Sequence, residues 1–516
     1  MTAAFVAAVF VLLLATLPPR AARIPLDAVD RALVERTVSG AYHIHTSRSD
    51  GAEDKRSVAA AAARAGLQFA IFTDHGDGMR PPDPPAYVNG VLCLDGVEIS
   101  TTGGHYVAID LPAAPYPLGG EAAAVVEDVS RLGGFGIAAH PDHPKGQLAW
   151  TDGDAPIDGI EWINADSEWR NETPTQLARV LFNYMIRPGP ALASVFDRPN
   201  TTLARWDAME KGRSVVALAA ADAHGGRRLP GEQDGGAAFG GGPGYEASFR
   251  SLSNRVIVDR PLTGDAVTDA RLVMDGVRQG RVYSVVDAIS KDVLLSFDAK
   301  AGDGFAVASR LPEDAHVITV PAGLRKRIEV HAPRAPGNPP VPWVLSNWTG
   351  SRPPSPLPPV GPLPAFSAPL AVASEWRVEK DPASSGRVSG GGAVVSLEFK
   401  LRAGERASQF VAAGADLRAV QPFDRLAFRG RASRAMRVSF QLRLAPDDSR
   451  WVTSVVLGPE DRDIVIGVGE LRPAGGTGSR MPAVDMTRSI LFVVDLVNAR
   501  PGDSGSFTIS DLRMAR

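Results

Sequence analysis

Cysteine is almost absent from this chain, with one residue, Cys93, in 516. A lone thiol excludes an intramolecular disulfide and a cysteine-built zinc cage, so any metal ligands must be imidazoles and carboxylates. Charge of one sign is lacking as well. Lys and Arg number 55 against 58 Asp and Glu, for a formal net charge of −3. That leaves no basic excess for a nucleic acid to exploit, and no nucleic-acid partner is expected. No G-x-S-x-G occurs, so the serine nucleophile of an α/β-hydrolase is not on offer. Long apolar runs are missing with one exception, AAFVAAVFVLLLATL at Ala3–Leu17. It is shorter than the roughly 20 residues a bilayer-spanning helix needs and suits a signal-peptide core. Residues 1–22 are expected to be a signal peptide or membrane anchor. The chain would then be periplasmic, secreted or held on the outer face of the cytoplasmic membrane.

What is present describes a folded protein of several domains, 44% hydrophobic and 22% charged. Seven strand-like runs alternate with helical stretches between Val38 and Ala288: AYHIH (41–45), QFAIFT (68–73), VLCLDGVEIS (91–100), HYVAID (105–110), FGIAAH (135–140), GIEWIN (159–164) and SVVALAAAD (214–222). The intervening stretches 53–66, 121–133 and 203–212 read as helices, the first closed by Gly66. Strands alternating with helices predict an α/β fold with a parallel sheet covered on both faces, curled into a barrel over 36–288. Residues 289–350 read as a small all-β segment. Residues 351–367 hold seven prolines and read as a semi-rigid linker. From 368 to 516 strand follows strand, as in a β-sandwich of the jelly-roll, galactose-binding-like kind. AMRVSFQLRL (435–444) sets Val438, Phe440, Leu442 and Leu444 on one face against Arg437, Ser439, Gln441 and Arg443 on the other.

Barrel enzymes build their sites at the C-terminal ends of the strands. There the chain places His43 and His45, then Asp50 in the loop beyond, Asp74 and His75, Glu98, His105, His140, Asn164, and Asp222 with His224. Six of the nine histidines thus gather near one rim. Each is unremarkable alone, whereas histidines with purely structural roles would scatter over both ends. Imidazole and carboxylate together suit Zn²⁺, Mn²⁺ or Fe²⁺ rather than Ca²⁺ or Mg²⁺ alone. Nine ligand groups exceed what one tetrahedral ion takes, so two or three divalent ions are expected. His143 stands close to His140, but AAHP ends its strand and His140 is preferred. His316 and His331 lie in the all-β segment and are read as structural.

HIHTSRSDG, TDHG, GVEIS, AHP and ADAH, in that order, resemble the successive motifs of the PHP (polymerase and histidinol phosphatase) metallohydrolase superfamily. The resemblance covers about residues 38–288. It implies a distorted seven-stranded (β/α) barrel with a trinuclear site. His43, His45, Glu98 and Asp222 would hold one metal. Glu98 would bridge to a second, completed by His105 and His140, and Asp50, His75 and His224 would hold the third. Tyr42 stands where family members often have Asp. The stretch GRVYSVVDAI (280–289) and the strands ending PWVLSNWTG (342–350) are similar to exported members, a subgroup that includes aryl carbamate hydrolases.

The expected chemistry is ester hydrolysis with a metal-activated water as nucleophile, on a small-molecule phosphoester. Carbamate or carboxylic esters on the same centre are the alternative. Asp74 is a candidate proton-shuttling carboxylate. Lys145, Arg227 and Arg228 are candidate contacts for an anionic substrate, and Trp162, Trp169 and Trp206 are candidate pocket walls. A reading of another class makes the chain an envelope or carbohydrate-binding surface protein, with glycan contact through the C-terminal module and a non-catalytic barrel.

Overall fold

The computed structural model describes residues 30–226 and 243–291. Beyond these it describes strands within 293–347 and, with short gaps, residues 375–474 and 481–515. The linker expected at 351–367 and most of the apolar run at 3–17 lie outside the described residues. Among the described residues no helix is long and apolar enough to cross a membrane. The chain divides into two compact units. The first comprises Met1–Gly76, Pro82–Pro112 and Val129–Leu357, and the second Asp77–Pro81, Ala113–Asp128 and Pro358–Arg516.

All seven expected strands form: β1 (Thr37–Tyr42), β2 (Phe69–Phe72), β3 (Val91–Thr101), β4 (Gly104–Ile109), β5 (Phe135–Ala138), β6 (Gly159–Asn164) and β7 (Val216–Ala220). They neighbour one another in chain order in one curled sheet. Helix α1 (Lys55–Ala65) is capped by Asp54, which accepts from the Ser57 N–H, and closed by Gly66 in the left-handed conformation. The other two expected helices are α2 (Ala122–Arg131) and α6 (Asn200–Glu210). Between α2 and α6 lie three helices that periodicity did not announce: α3 (Ala165–Arg170), α4 (Pro174–Tyr184) and α5 (Pro188–Ala193). Proline at the first helical position and a Thr173–Gln176 capping box start α4.

The sheet is not wholly parallel. β1–β2–β3 and β5–β6–β7 are parallel runs, but β4 is antiparallel to both of its neighbours. The reason is local: only Thr102 and Gly103 separate β3 from β4, and a two-residue connection makes a hairpin, never a crossover. Gly104 completes the turn at φ +107°, where a Cβ would fall 2.2 Å from the Ala149 carbonyl oxygen.

Past β7 come helix α7 (Tyr245–Phe249), strand β8 (Ser253–Ile257), helix α8 (Ala266–Arg278) and strand β9 (Val282–Val285). Of the strands beyond, β10 (His316–Ala322), β11 (Arg325–His331) and β12 (Pro342–Ser346) join the same sheet. β8 pairs antiparallel with β1, and β9, β12, β11 and β10 continue outward from it. Strands from the all-β segment are therefore part of the same sheet. Alternation along the strands feeds two cores. Phe69, Ile71, Leu92, Leu94, Val107, Ile137 and Leu218 pack with Val273 and Val277 of α8, while Ala70, Phe72 and Cys93 pack under Val58, Ala59 and Ala62 of α1.

The sheet closes on itself along β7. Ala221 and Ala223 donate backbone N–H groups to the Tyr42 and His43 carbonyls (2.9 and 3.2 Å), and His45 N–H returns to Ala223 O at 3.0 Å. Further down, side-chain amides replace the missing strand. The Ala219 N–H donates to Asn254 Oδ1 (3.0 Å), and Asn254 Nδ2 donates to Ala219 O (2.8 Å). Asn347 does the same for Ala217, at 2.7 and 2.8 Å. One primary amide offers the donor and the acceptor that a paired residue would supply.

The second unit is a β-sandwich of two six-stranded antiparallel sheets. Phe428 and Phe507 of one sheet meet Phe492 of the other, with ring centroids 5.4 and 6.3 Å apart. Strand Met436–Leu444 turns Val438, Phe440, Leu442 and Leu444 into this core, as its alternation predicts. Its opposite face is not all solvated. Arg437 is 1% exposed and donates to Asp128, Glu127 and the Ala124 carbonyl within the same unit.

Replacing Asn254 by Ala strands the buried Ala219 N–H and C=O. It is expected to lower stability by about 1–3 kcal/mol, measured as a drop in the first urea-unfolding midpoint. An unchanged midpoint would show that the amide does not close the seam.

Candidate metal centre

The strand ends bring nine side chains together. Glu98 lies in the last stretch of β3 and is 1% exposed. Its Oε2 is 3.2 Å from His43 Nε2, from His45 Nε2 and from His75 Nδ1. Its Oε1 is 2.7 Å from His105 Nδ1 and 2.9 Å from His140 Nε2. Asp222 Oδ1 faces the same two nitrogens of His43 and His45, at 3.5 and 3.4 Å. On the more open side Asp50 approaches His45 Nδ1 (3.4 Å) and, through Oδ2, His75 Nε2 and His224 Nε2 (3.5 Å each).

These separations test whether an ion fits. A tetrahedral ion with bonds of about 2.0–2.2 Å holds its donor atoms about 3.3–3.6 Å apart. His43 Nε2, His45 Nε2, Glu98 Oε2 and Asp222 Oδ1 have four cross-distances of 3.2–3.5 Å. His43 Nε2 and His45 Nε2 are moreover buried with no hydrogen-bond partner, which is costly unless a cation occupies the space between them. The group His45, Asp50, His75 and His224 has the same open spacing. The corner at Glu98 Oε1 differs. At 2.7 and 2.9 Å, His105 and His140 sit at hydrogen-bond length, and it would open by roughly half an ångström to take an ion. His105 also falls in a cluster with His75 and Glu98, and His140 in one with His43 and Glu98.

Local backbone aims these groups. β1 ends at Tyr42, and His43 takes φ +63°, so the two histidines of H-I-H converge through a left-handed residue rather than by strand pleat. His140 (φ +30°) and Asp222 (φ +43°) likewise stand just past β5 and β7. Among the described residues, the other non-glycine positions with positive φ are all Asn or Asp, which tolerate that region. Left-handed histidines persist where surroundings over-determine them, as at functional sites. His105 reaches the rim although it opens its strand, because β4 runs in reverse.

Sequence reading missed Glu161. It is 1% exposed on β6 and accepts from His43 Nδ1 (2.5 Å), the His140 backbone N–H (2.7 Å) and Asn164 Nδ2 (2.9 Å). With Nδ1 protonated toward Glu161, His43 presents the lone pair of Nε2 to the cluster. Asn164 Nδ2 also donates to Asp222 Oδ2 at 3.1 Å, which leaves Oδ1 facing the histidines. The available signal was an acid inside the otherwise buried strand GIEWIN, since buried charge demands a partner.

Asp74 is engaged elsewhere. Its oxygens accept from Thr46 N–H, Thr46 Oγ1 and Ser49 Oγ at 2.7–2.8 Å, pinning the loop that carries His45 and Asp50. Lys145 is exposed, and its backbone N–H donates to His143 Nδ1 at 3.0 Å. Arg227 and Arg228 lie outside the described residues. Of the three tryptophans, Trp169 lines a cleft with Asp222 and His224. Trp162 and Trp206 are buried and donate to Ser284 Oγ and the Val215 carbonyl. His331 pairs with Glu329 at 3.0 Å. Burial pushes the Cys93 thiol up to about 11, which removes it as a nucleophile.

The cluster's charges are mutually dependent. Burial opposes ionisation of Glu98, but His43, His105 and His140 hold it well below the ordinary carboxylate range. Burial also pulls His45 down, and the facing carboxylates of Asp222 and Glu98 more than offset it, lifting it to about 9. The stabilisation His45 brings to metal-free protein is thus complete below pH 6.5 and lost as pH rises through about 9. Metal-free protein is expected to melt at a lower temperature at pH 9 than at pH 6.5, and equal melting temperatures would refute this coupling. Glu161→Gln is expected to weaken metal binding about 10- to 100-fold in a chelator-competition titration, and unchanged affinity would deny it the orienting role.

No family model matches the chain, and no curated protein matches it. Among solved structures, a family 11 carbohydrate-binding module of a cellulosomal cellulase of Clostridium thermocellum is 14% identical. The match covers 29% of this chain and 95% of that one at a TM-score of 0.24. A family 29 carbohydrate-binding module is 12% identical over 29% of this chain and 91% of its own, at a TM-score of 0.20. Likenesses this slight say nothing about the role of either unit.

Proposed function

We propose that the chain is an exported, metal-dependent hydrolase of ester bonds, of the PHP type, acting as a phosphoesterase. The observation that carries this reading is the set of four donor atoms from His43, His45, Glu98 and Asp222, spaced 3.2–3.5 Å apart around two buried nitrogens that lack partners. Two or three Zn, Mn or Fe ions held there would lower the pKa of a water and polarise the ester oxygens. His43, His45, Glu98 and Asp222 would hold the first; Asp50, His75 and His224 a second; His105 and His140 with Glu98 a third.

The chain's own groups supply orientation. Glu161 keeps a proton on His43 Nδ1, Asn164 turns Asp222, and Asp74 fixes the His45–Asp50 loop. Asp50 and His75, 55% and 34% exposed in their side chains, leave one side of the centre open to a substrate. The apolar run at Ala3–Leu17 supports export.

Carbamate or carboxylic esters remain the second reading, favoured by the apolar walls Trp169, Leu192, Val195 and Phe196 of the cleft beside Asp222 and His224. Such walls suit an uncharged organic group. For the β-sandwich we propose contact with glycan or cell envelope, with which its two-layer architecture is compatible. A purely binding role for the whole chain would not require left-handed histidines or a buried, fully oriented donor set.

Metal analysis of the purified protein, with hydrolysis of p-nitrophenyl phosphate, bis-p-nitrophenyl phosphate and an aryl carbamate compared side by side, tests the reading. His43→Ala and Asp222→Ala are each expected to lose metal and activity together. Full metal content and activity in both variants would sink the assignment.

A further inference from the structure

Helix α4 carries more apolar surface than the barrel uses. Its buried face is Val180, Asn183 and Tyr184, and the Gly244 N–H donates to Tyr184 Oη at 2.9 Å. Two further rows run beside that face at i, i+4 and i+8: Leu177, Leu181, Met185 and Ala178, Phe182, Ile186. Met185 keeps right-handed helical backbone past the last turn, so the rows stay in line. Leu177, Leu181 and Phe182 are half-buried, whereas Ala178, Met185 and Ile186 are exposed, the last two at 45–64%. A helix packed on a core needs an apolar stripe of only about 100°. On α4 the apolar surface continues round to Arg179, which is exposed beside the row of Ile186. The segment 227–242, which leads towards Gly244, is largely glycine and charged residues, with Leu229 and Phe239 its only large apolar side chains. Its composition does not suit it to cover such a face.

What meets this surface is indicated by its neighbour. The apolar run Ala3–Leu17 ends where α4 ends: Arg187 donates through Nη1 to the Pro18 carbonyl, and both segments belong to the first unit. Large side chains of the run are exposed too, Val6 and Val11 at 64%, Phe10 at 53% and Leu14 at 40%. The run is 15 residues long, and a helix of that length rises about 22 Å, short of the roughly 30 Å of a bilayer's hydrocarbon core. A segment so short reaches into a membrane without spanning it, and a second apolar surface beside it strengthens the attachment. Arg179 and Arg187 border that surface with positive charge, which anionic headgroups attract. Between Leu177 and Arg187 there is no Asp or Glu. A second copy seated on the same face across a two-fold axis would therefore bring nothing to meet the arginines.

We infer that α4 lies along the surface of a lipid bilayer, with Phe182, Met185 and Ile186 among the acyl chains and Arg179 and Arg187 at anionic headgroups, beside the point where the apolar run enters the same leaflet. The inference concerns attachment and does not rest on the hydrolase reading. Cys93 is fully buried, so Met185→Cys offers one reactive thiol for an environment-sensitive fluorophore on the full chain. Vesicles of phosphatidylethanolamine and phosphatidylglycerol are expected to shift the label's emission to the blue, and vesicles of phosphatidylcholine to shift it less. The double variant Met185→Glu, Ile186→Glu is expected to bind the anionic vesicles about ten- to a hundredfold more weakly in a flotation assay, with melting temperature unchanged. Emission that vesicles leave unmoved, or equal vesicle binding by wild type and the double variant, would overturn the inference. A dimer in solution that the double variant breaks would also overturn it, by giving the face to a second copy. Should the double variant fail to fold, Met185→Ser with Ile186→Ser is measured in the same way: unchanged vesicle binding overturns the inference, and weakened binding supports it. Insertion of the label by a protein that hydrolyses no ester would leave this inference standing and remove the hydrolase reading; ester hydrolysis with the label unmoved would do the reverse.

Discussion

Glu98 is a carboxylate buried to 1% exposure with five imidazoles around its two oxygens. An isolated carboxylate in such a place would be driven to neutrality by its desolvation cost. Here the histidines keep it ionised, and it in turn holds them in a ring that no single strand could assemble. His43 and His45 follow β1, His75 follows β2, His105 opens β4 and His140 follows β5. The curl of the sheet is what lets five separate segments meet at one side chain.

The seam along β7 bears on the same point. His43 and His45 lie beyond β1, and Asp222 and His224 beyond β7, so four of the donors sit on either side of the line where the sheet closes on itself. The Ala221–Tyr42 and His45–Ala223 backbone bonds hold that line at the rim, and Asn254 and Asn347 hold it below. A cation between His43, His45 and Asp222 would tie the two edges further. Stability of the sheet and readiness of the site are thus one problem, met by amides lower on the seam and by charge at its rim. The left-handed backbone at His43, His140 and Asp222 costs on the order of 1–3 kcal/mol per residue, which only a closed, fully bonded rim can hold in place.

Much of this was legible in the chain itself. Seven apolar runs became seven strands, Asp54 and Gly66 bounded α1 as capping chemistry requires, and the histidines at run ends gathered at one rim. The direction of β4 was written locally too, in the two-residue Thr102–Gly103 turn, but alternation of strands and helices pointed the other way. Glu161 carried a faint trace as an acid in a buried strand. The burial of Arg437 carried none, because a strand whose polar face meets another segment alternates just as one facing water does.

The sequence by itself determined the inventory and the period: which segments are strands, which helices, and that imidazoles and carboxylates, not thiols, supply the donors. Only the tertiary structure decided which nitrogen faces which oxygen, and that Glu161 orients His43 from 118 residues away. Periodicity records the interactions of a residue with its near neighbours in the chain. Pairings across a closed sheet join residues far apart in sequence, and they leave no repeat for the chain to display.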